Sequence, residues 1–348
     1  MSGIVARFSG ICLPKALFFV AVVVLWAAQP VRAQSTPMFS FGDSVPSFSG
    51  GSYLKGVPTS AFIDTGENRF EKAGRVFGET IGGVRGIADD FFDIAAFPAR
   101  EPILFGVAVA GIGALVATDY QVTAFYQDKI ESAFDGFSLP SFVPSNLKRN
   151  TVLRYISRED EYLLAGIGLT YAYGFAANDE RAQATAILAS KAVAYSYVIS
   201  HVLLKPVFGR LRPANDLSSY GGPVDTVDAQ GFTPNPYKFG NFPGINLRPT
   251  AYGTAMPSFH YTLYFSVARV YSGMYDNAIL PYVAAGLLSV SNIRGHNHWV
   301  SDMVAGAVIG TVIGQSILDN YTERKGLDMS FTPVVSSRGV GAQFSMRF

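Results

Sequence analysis

The chain has 348 residues, of which 49% are hydrophobic and only 15% charged, and its formal net charge is +1. A typical soluble domain is about 25% charged, so this composition fits a large buried bundle, a membrane-associated protein, or both. Near-neutrality excludes bulk attraction to nucleic acid or an acidic polymer, and any anion must be held by a local cluster of cations.

In chain order, the first 33 residues read as a secretory signal. Arg7 and Lys15 give the positive start, Ala16 to Ala28 a 13-residue apolar run, and Val31-Arg32-Ala33 the small residues a signal peptidase needs. The run is shorter than the roughly 20 residues of a spanning helix. The expectation is an exported bacterial protein of the periplasm, with peripheral membrane contact. The only cysteine, Cys12, falls inside this segment, so a chain beginning near Gln34 has no disulfide and no thiol.

Residues 34–100 form an N-terminal extension. Phe39 to Gly51, rich in Phe, Ser and Gly, reads as irregular. Glu67 to Phe97 sets Phe70, Val76, Phe77, Ile81, Val84, Ile87, Phe91, Phe92 and Ile94 at rough helical spacing. That spacing predicts an amphipathic helix, either a packing extension or a contact with a membrane or lid. Six apolar helices are predicted within a helical domain over 101–320: Ile103–Thr118, Tyr162–Ala177, Ala182–Leu204, Ser258–Ser272, Ile279–Ser291 and His298–Leu318. Small residues recur along them and allow close helix approach. The 43-residue loop 214–256 is rich in Gly, Pro, Asn and aromatics. A connection of that length predicts a functional wall or lid. In 321–348, Val340 to Phe348 alternates strictly, and Met329 to Val335 can pair with it, predicting a β-hairpin. The expected fold class is all-α, a six-helix bundle with a short C-terminal β-hairpin.

Three stretches at helix ends carry the chemistry. His298 and Asp302 lie four apart where the last helix begins, so they share a face and the carboxylate can orient the imidazole as a nucleophile or base. Lys205 and Arg212 bracket the end of the third helix. Ser258, Phe259 and His260 open the fourth, where free amides and the positive dipole end favour anions. All four histidines, His201, His260, His296 and His298, fall in or beside these stretches. Arginine offers a bidentate fork and lysine a compact charge, so together with two imidazoles the set suits phosphoryl transfer. A metal site at His296 and His298 lacks the about four ligands that structural zinc wants, and no cofactor is expected.

The order Lys-x6-Arg-Pro, Pro-Ser-x-His, His-x3-Asp, over roughly residues 100–320, resembles the type 2 phosphatidic acid phosphatase superfamily. That group includes bacterial non-specific acid phosphatases, lipid phosphatases and vanadium haloperoxidases. The resemblance implies a six-helix fold with His298 as the nucleophile forming a phosphohistidine, Asp302 as its orienting carboxylate and His260 as the general acid. It also implies Lys205, Arg212, Ser258 and the Phe259 amide as phosphate ligands. Two positions depart from the pattern. Phe259 stands where the family usually has Gly, and Asn292 where it has Arg, six residues before the histidine. Arg294 is expected to reach into the pocket and replace that guanidinium, while His201 and His296 are expected to be structural.

The implied activity is metal-independent hydrolysis of a phosphomonoester or pyrophosphate, with a phosphorylated small molecule or a lipid phosphate as partner. Two alternatives stand beside it: a vanadate-dependent haloperoxidase using the same cradle, and a degenerate member acting as a binding or envelope structural protein. Membrane members of the family hold their site on the outer side, whereas a cleaved signal would send Lys205 to the cytoplasmic face. With the first two predicted helices only 16 residues long, the expectation is a periplasmic bundle.

Overall fold

The computed structural model describes residues 53–58, 61–62, 66–149, 156–245 and 254–326, together with the backbone of 329–336 and 339–346. The expected export signal with Cys12, and the stretch Phe39 to Gly51, lie outside the described residues.

Helix α1 spans Arg69–Ile81 and α2 spans Gly83–Arg100. Asn68 starts α1 by accepting hydrogen bonds from the amides of Phe70 and Glu71 at 3.0 and 3.1 Å. The single helix predicted over Glu67 to Phe97 is two helices, because Gly82 and Gly83 both adopt positive φ, 67° and 64°, and interrupt the ladder. Both are fastened to the bundle by buried charge. Arg75 pairs with Glu180 at 2.7 Å. Lys191 pairs with Asp90 at 2.5 Å, and Asp90 also accepts from the Tyr195 hydroxyl at 2.8 Å and the Asn320 amide at 3.1 Å. Val76 joins Leu188, Ile313 and Leu318 in the main core.

Helix α3 runs over Pro102–Phe125 and continues in π-helical turns over Tyr126–Glu131. Its predicted end at Thr118 marks only where the apolar run stops. Asp119, Thr123 and Gln127 follow at four-residue spacing and are buried, so this polar stripe faces the interior of a continuing helix. Helix α4, Ser145–Arg149, is a single turn, and α5 spans Arg158–Ala176 with the Ser157 hydroxyl accepting from the Asp160 amide at 3.1 Å.

Helix α6 spans Glu180–Ser196, widens into a π-helix over Tyr197–Leu204 and closes in a last turn, Lys205–Phe208. Pro206 has no N–H and its ring crowds the preceding turn, and the widened stretch immediately upstream accommodates it. Gly209 ends the helix at φ 52°, and a Cβ there would lie 2.6 Å from the amide nitrogen of Asn241, so a loop backbone lies directly over it. The remaining helices are α7 (Phe259–Tyr275), α8 (Leu280–Val290), α9 (Ile293–His296) and α10 (Val300–Arg324).

Helices α7 and α10 run side by side in the same direction, separated by almost no side chain. Cβ atoms on Gly306, Gly310 and Gly314 would meet the carbonyl oxygens of Ser258, Thr262 and Ser266 at 2.5, 2.3 and 2.6 Å. Four-residue spacing on both partners lets the backbones touch along three turns. This seam brings the starts of α7 and α10 together. Helix α6 runs antiparallel to α7, its Ser196 hydroxyl 2.9 Å from that of Ser266, so its C-terminal end arrives at the same place.

Strand β1 (Arg212–Pro213) pairs in parallel with β2 (Phe232–Thr233), folding the loop after α6 back on itself. Strands β3 (Met329–Ser336) and β4 (Gly339–Met346) pair antiparallel, Met329 opposite Met346. Among the described residues, three helices are long and apolar enough to cross a bilayer: Pro102–Glu131, Glu180–Phe208 and Val300–Arg324. Only 11% of the first is buried inside the molecule, against 56% and 72% for the others. A helix apolar on every side and left uncovered is unstable in water and fits membrane association. At 30 residues it also exceeds the 16 anticipated, which removes helix length as a ground for a water-soluble bundle.

Candidate active site

The site is built where the end of α6, the starts of α7 and α10 and the second half of α3 meet. Trp299 precedes α10, fully buried, with its indole N–H donating to the Leu211 carbonyl at 2.9 Å. Asp302 folds back and accepts from the Trp299 amide at 3.0 Å. The next two amides are taken by α3: Val300 donates to the Thr123 hydroxyl and Ser301 to the Asp119 carboxylate, both at 3.1 Å. The first turn of α10 is thereby held rigidly, and His298 sits just ahead of it, 5% exposed. Its Nδ1 lies 3.8 Å from Asp302 Oδ2. That is electrostatic contact rather than a short hydrogen bond, and it leaves Nε2 as the nitrogen directed away from the carboxylate.

Ser258 is brought against the same turn, its amide donating to the Asp302 carbonyl at 2.9 Å. Its hydroxyl is buried, and among the described residues neither that hydroxyl nor the Phe259 N–H has a protein partner. Lys205 is 3% exposed, and it interacts electrostatically with Arg212 and with Asp302. No carboxylate among the described residues is ion-paired with its ammonium. Arg212 donates to the Asn297 carbonyl at 3.2 Å, which ties it to the turn before His298. Two cations converge near one carboxylate, beside a helix start with unmatched donors. Such a hollow favours an anion.

His260 belongs to the opening turn of α7, and its Nε2 lies 3.7 Å from Asp160 Oδ2 on α5. Asp160 also accepts from the Tyr264 hydroxyl at 3.2 Å. Burial alone would raise the Asp160 carboxyl, but the charge and hydrogen bonding of His260, with Ser157 and Tyr264, outweigh it and hold Asp160 below the usual carboxylate range. The Phe259 ring turns to an aromatic group, with centroids 5.8 Å from His201, 6.1 Å from Tyr197 and 5.4 Å from His260. His201 is itself buried and stacked on Tyr197. Phe259 also borders an apolar cavity of about 340 Å³, together with Asp160, Leu163, Val193, Tyr197 and Leu263.

Arg294 is not brought to this hollow. It lies on α9, more than half exposed, with its Nε 3.4 Å from the Asp135 carboxylate. Asn292 turns its backbone to φ 50° and donates its amide to the Phe137 carbonyl at 3.0 Å. The His296 side chain lies outside the described part of the structure. Among the described residues no group of three or more His, Cys, Asp or Glu is arranged to hold a metal ion.

Sequence reasoning missed three groups. Arg210, two residues before Arg212, is fully buried and pairs with both Asp119 and Asp302 at 2.7 Å. Asp119 sits just beyond the apolar run of α3, where it read as a helix end. Asp160 is the middle of Glu159-Asp160-Glu161, three acids just ahead of the predicted start of that helix at Tyr162. The four-residue spacing of Asp119, Thr123 and Gln127 was the available signal for a buried polar face.

No curated protein and no solved structure matches the chain. Residues 184–325 match the family model described as PAP2 superfamily. That stretch contains all three motifs, from Lys205 to Asp302, while α3 and α5 precede it. That match, over less than half of the chain, supports the resemblance to the type 2 phosphatidic acid phosphatase superfamily and, broadly, a phosphatase-type activity.

Proposed function

We propose that the protein hydrolyses a phosphomonoester or pyrophosphate through a phosphohistidine on His298, and that its substrate is a lipid phosphate. One observation carries the reading: Lys205 and Arg212 converge near the start of α7, where the Ser258 hydroxyl and the Phe259 N–H have no partner among the described residues. The cations and these two donors would hold the equatorial oxygens of a phosphoryl group.

His298 Nε2 attacks phosphorus in line, the P–O bond to the leaving group breaks, and protonated His260 gives its proton to the departing oxygen. Water then attacks the phosphohistidine, His260 takes a proton from it, the P–N bond breaks, and inorganic phosphate leaves. Asp302 stabilises the imidazolium of His298, and Asp160 keeps the His260 ring oriented. The apolar cavity beside Phe259 and the uncovered flank of α3 support a substrate with a hydrocarbon part.

The test uses the full chain purified in detergent micelles and assayed against inorganic pyrophosphate, p-nitrophenyl phosphate and phosphatidic acids of short and long acyl chain. Quenching in alkaline detergent with ³²P-labelled substrate should trap base-stable, acid-labile label on His298, and His298→Ala should abolish both label and turnover. Turnover that survives in His298→Ala, or an absence of label during turnover, would remove the mechanism. Equal kcat/KM for short and long chains would remove the lipid assignment.

A further inference from the structure

We propose that Arg210 is a positioning residue: it fixes the Asp302 carboxylate, and through it the His298 imidazole, while fastening the 236–239 segment of the long loop beside the site. The inference rests on the phosphatase reading above. Arg210 is two residues from Arg212, yet it has no donor left for a ligand. Its Nε and one terminal nitrogen donate to the Pro236 carbonyl at 3.0 and 2.8 Å, and that same nitrogen donates to Asp119 at 2.7 Å. The other terminal nitrogen donates to the Ser301 hydroxyl and to Asp302 Oδ1, both at 2.7 Å. Five N–H groups meet five acceptor contacts, which is the full inventory of a guanidinium.

Two aromatic rings pack against it as well, with the Phe239 and Trp299 ring centroids 4.8 and 5.2 Å from the guanidinium carbon. Asp302 is consequently gripped by both oxygens: Oδ1 by Arg210, Oδ2 by the Trp299 amide and the field of His298. A carboxylate held so cannot rotate away from the imidazole it orients. The backbone of Arg210 is clamped too, its carbonyl accepting from Ala255 at 2.7 Å, while the neighbouring Leu211 amide donates to Lys238 at 2.9 Å. Lysine would keep the charge but lose the planar fork, so it could serve only part of this set.

The experiment measures kcat and KM of the full chain in detergent for Arg210→Lys, Asp302→Ala and the double variant. In the wild-type background Arg210→Lys should lower kcat by about 10- to 100-fold, the range seen when a group that orients a functional side chain is lost, with KM changed by less than about threefold. In the Asp302→Ala background the same change should cost less than about threefold, because residues acting through one another are non-additive. An undiminished kcat, a loss confined to KM, or an equal penalty in both backgrounds would overturn the proposal. Asp119→Asn, which loosens the other side of the guanidinium while keeping its volume, serves where Arg210→Lys fails to fold, with the same kcat-only loss expected.

A readout independent of turnover is the rate at which diethyl pyrocarbonate modifies His298, followed by peptide mass spectrometry. Arg210→Lys should change the rate at His298 and leave His260 unaffected, and an unchanged His298 overturns the proposal. If wild type hydrolysed none of the phosphates while that rate still moved, the phosphatase reading would fall and the positioning role would stand.

Discussion

Gly310→Ala tests whether the seam between α7 and α10 sets the site. A carbon and a carbonyl oxygen approach to about 3.3 Å at closest, whereas the new Cβ would sit 2.3 Å from the Thr262 carbonyl and 3.0 Å from the Ser266 nitrogen. Both neighbours are backbone, so the helices must part by about 1 Å at that level. Overpacking of this kind costs about 1–3 kcal/mol, and replacing a mid-helix glycine by alanine returns about 1 kcal/mol. The net cost of about 0–2 kcal/mol leaves the protein folded, with a melting temperature lower by a few degrees.

Activity should suffer more. Displacing Ser258 and His260 from His298 by about 1 Å is expected to cut kcat by about 100-fold. The assay pairs kcat for p-nitrophenyl phosphate with thermal unfolding followed by circular dichroism. Gly106→Ala on α3, where nothing lies within 4 Å of a Cβ, is the control and should stay within about twofold of wild type. Gly310→Ala with wild-type kcat and wild-type melting would refute the argument, because it would mean that the two helix starts are not held together by the seam.

Two further outcomes follow from the anchoring acids of α5. Asp160→Asn should slow substrates with poor leaving groups by about 10- to 100-fold more than it slows p-nitrophenyl phosphate, because only the former depend on a well-oriented proton donor; a uniform effect across leaving groups would count against the pairing with His260. Burial pushes Glu161 up, but Lys148, the Ser141 hydroxyl and the Val143 and Phe142 amides outweigh it and bring it down to about 2 from 4.5. A depressed carboxyl stabilises above its unfolded value and loses that contribution as pH falls through the folded one. The 141–149 segment should therefore resist acid-active proteases at pH 5 and be cut increasingly as pH drops from about 4.5 toward about 2, and Glu161→Gln should be cut equally at both pH values.

The three motifs were legible because each needs particular residue types at fixed spacing: Lys205 with Arg212, Ser258 with His260, His298 with Asp302. The small residues of α10 announced close helix contact, although their partner helix could not be read. What stayed hidden was whatever depends on contacts between distant segments. Asp119 lies 183 positions from Asp302 in the chain, and no local pattern connects them. Its polarity ended the hydrophobic run and so suggested a helix end, when it was the inward face of α3. Arg294 misled in the opposite way. Charge type and proximity in sequence suggested that it could stand in for an arginine at Asn292, but the backbone turn at Asn292 and the α9 turn after it carry Arg294 out to Asp135.

Two helices begin beside this hollow, but they do not offer it the same thing. The leading amides of α10 are occupied by Asp302, Thr123 and Asp119 before any ligand arrives, so its dipole is internally quenched. Among the described residues, the Phe259 amide of α7 has no protein partner. An entering oxyanion would be gripped from one wall and struck from the other, and the attacking nitrogen would not have to displace the groups that hold its target.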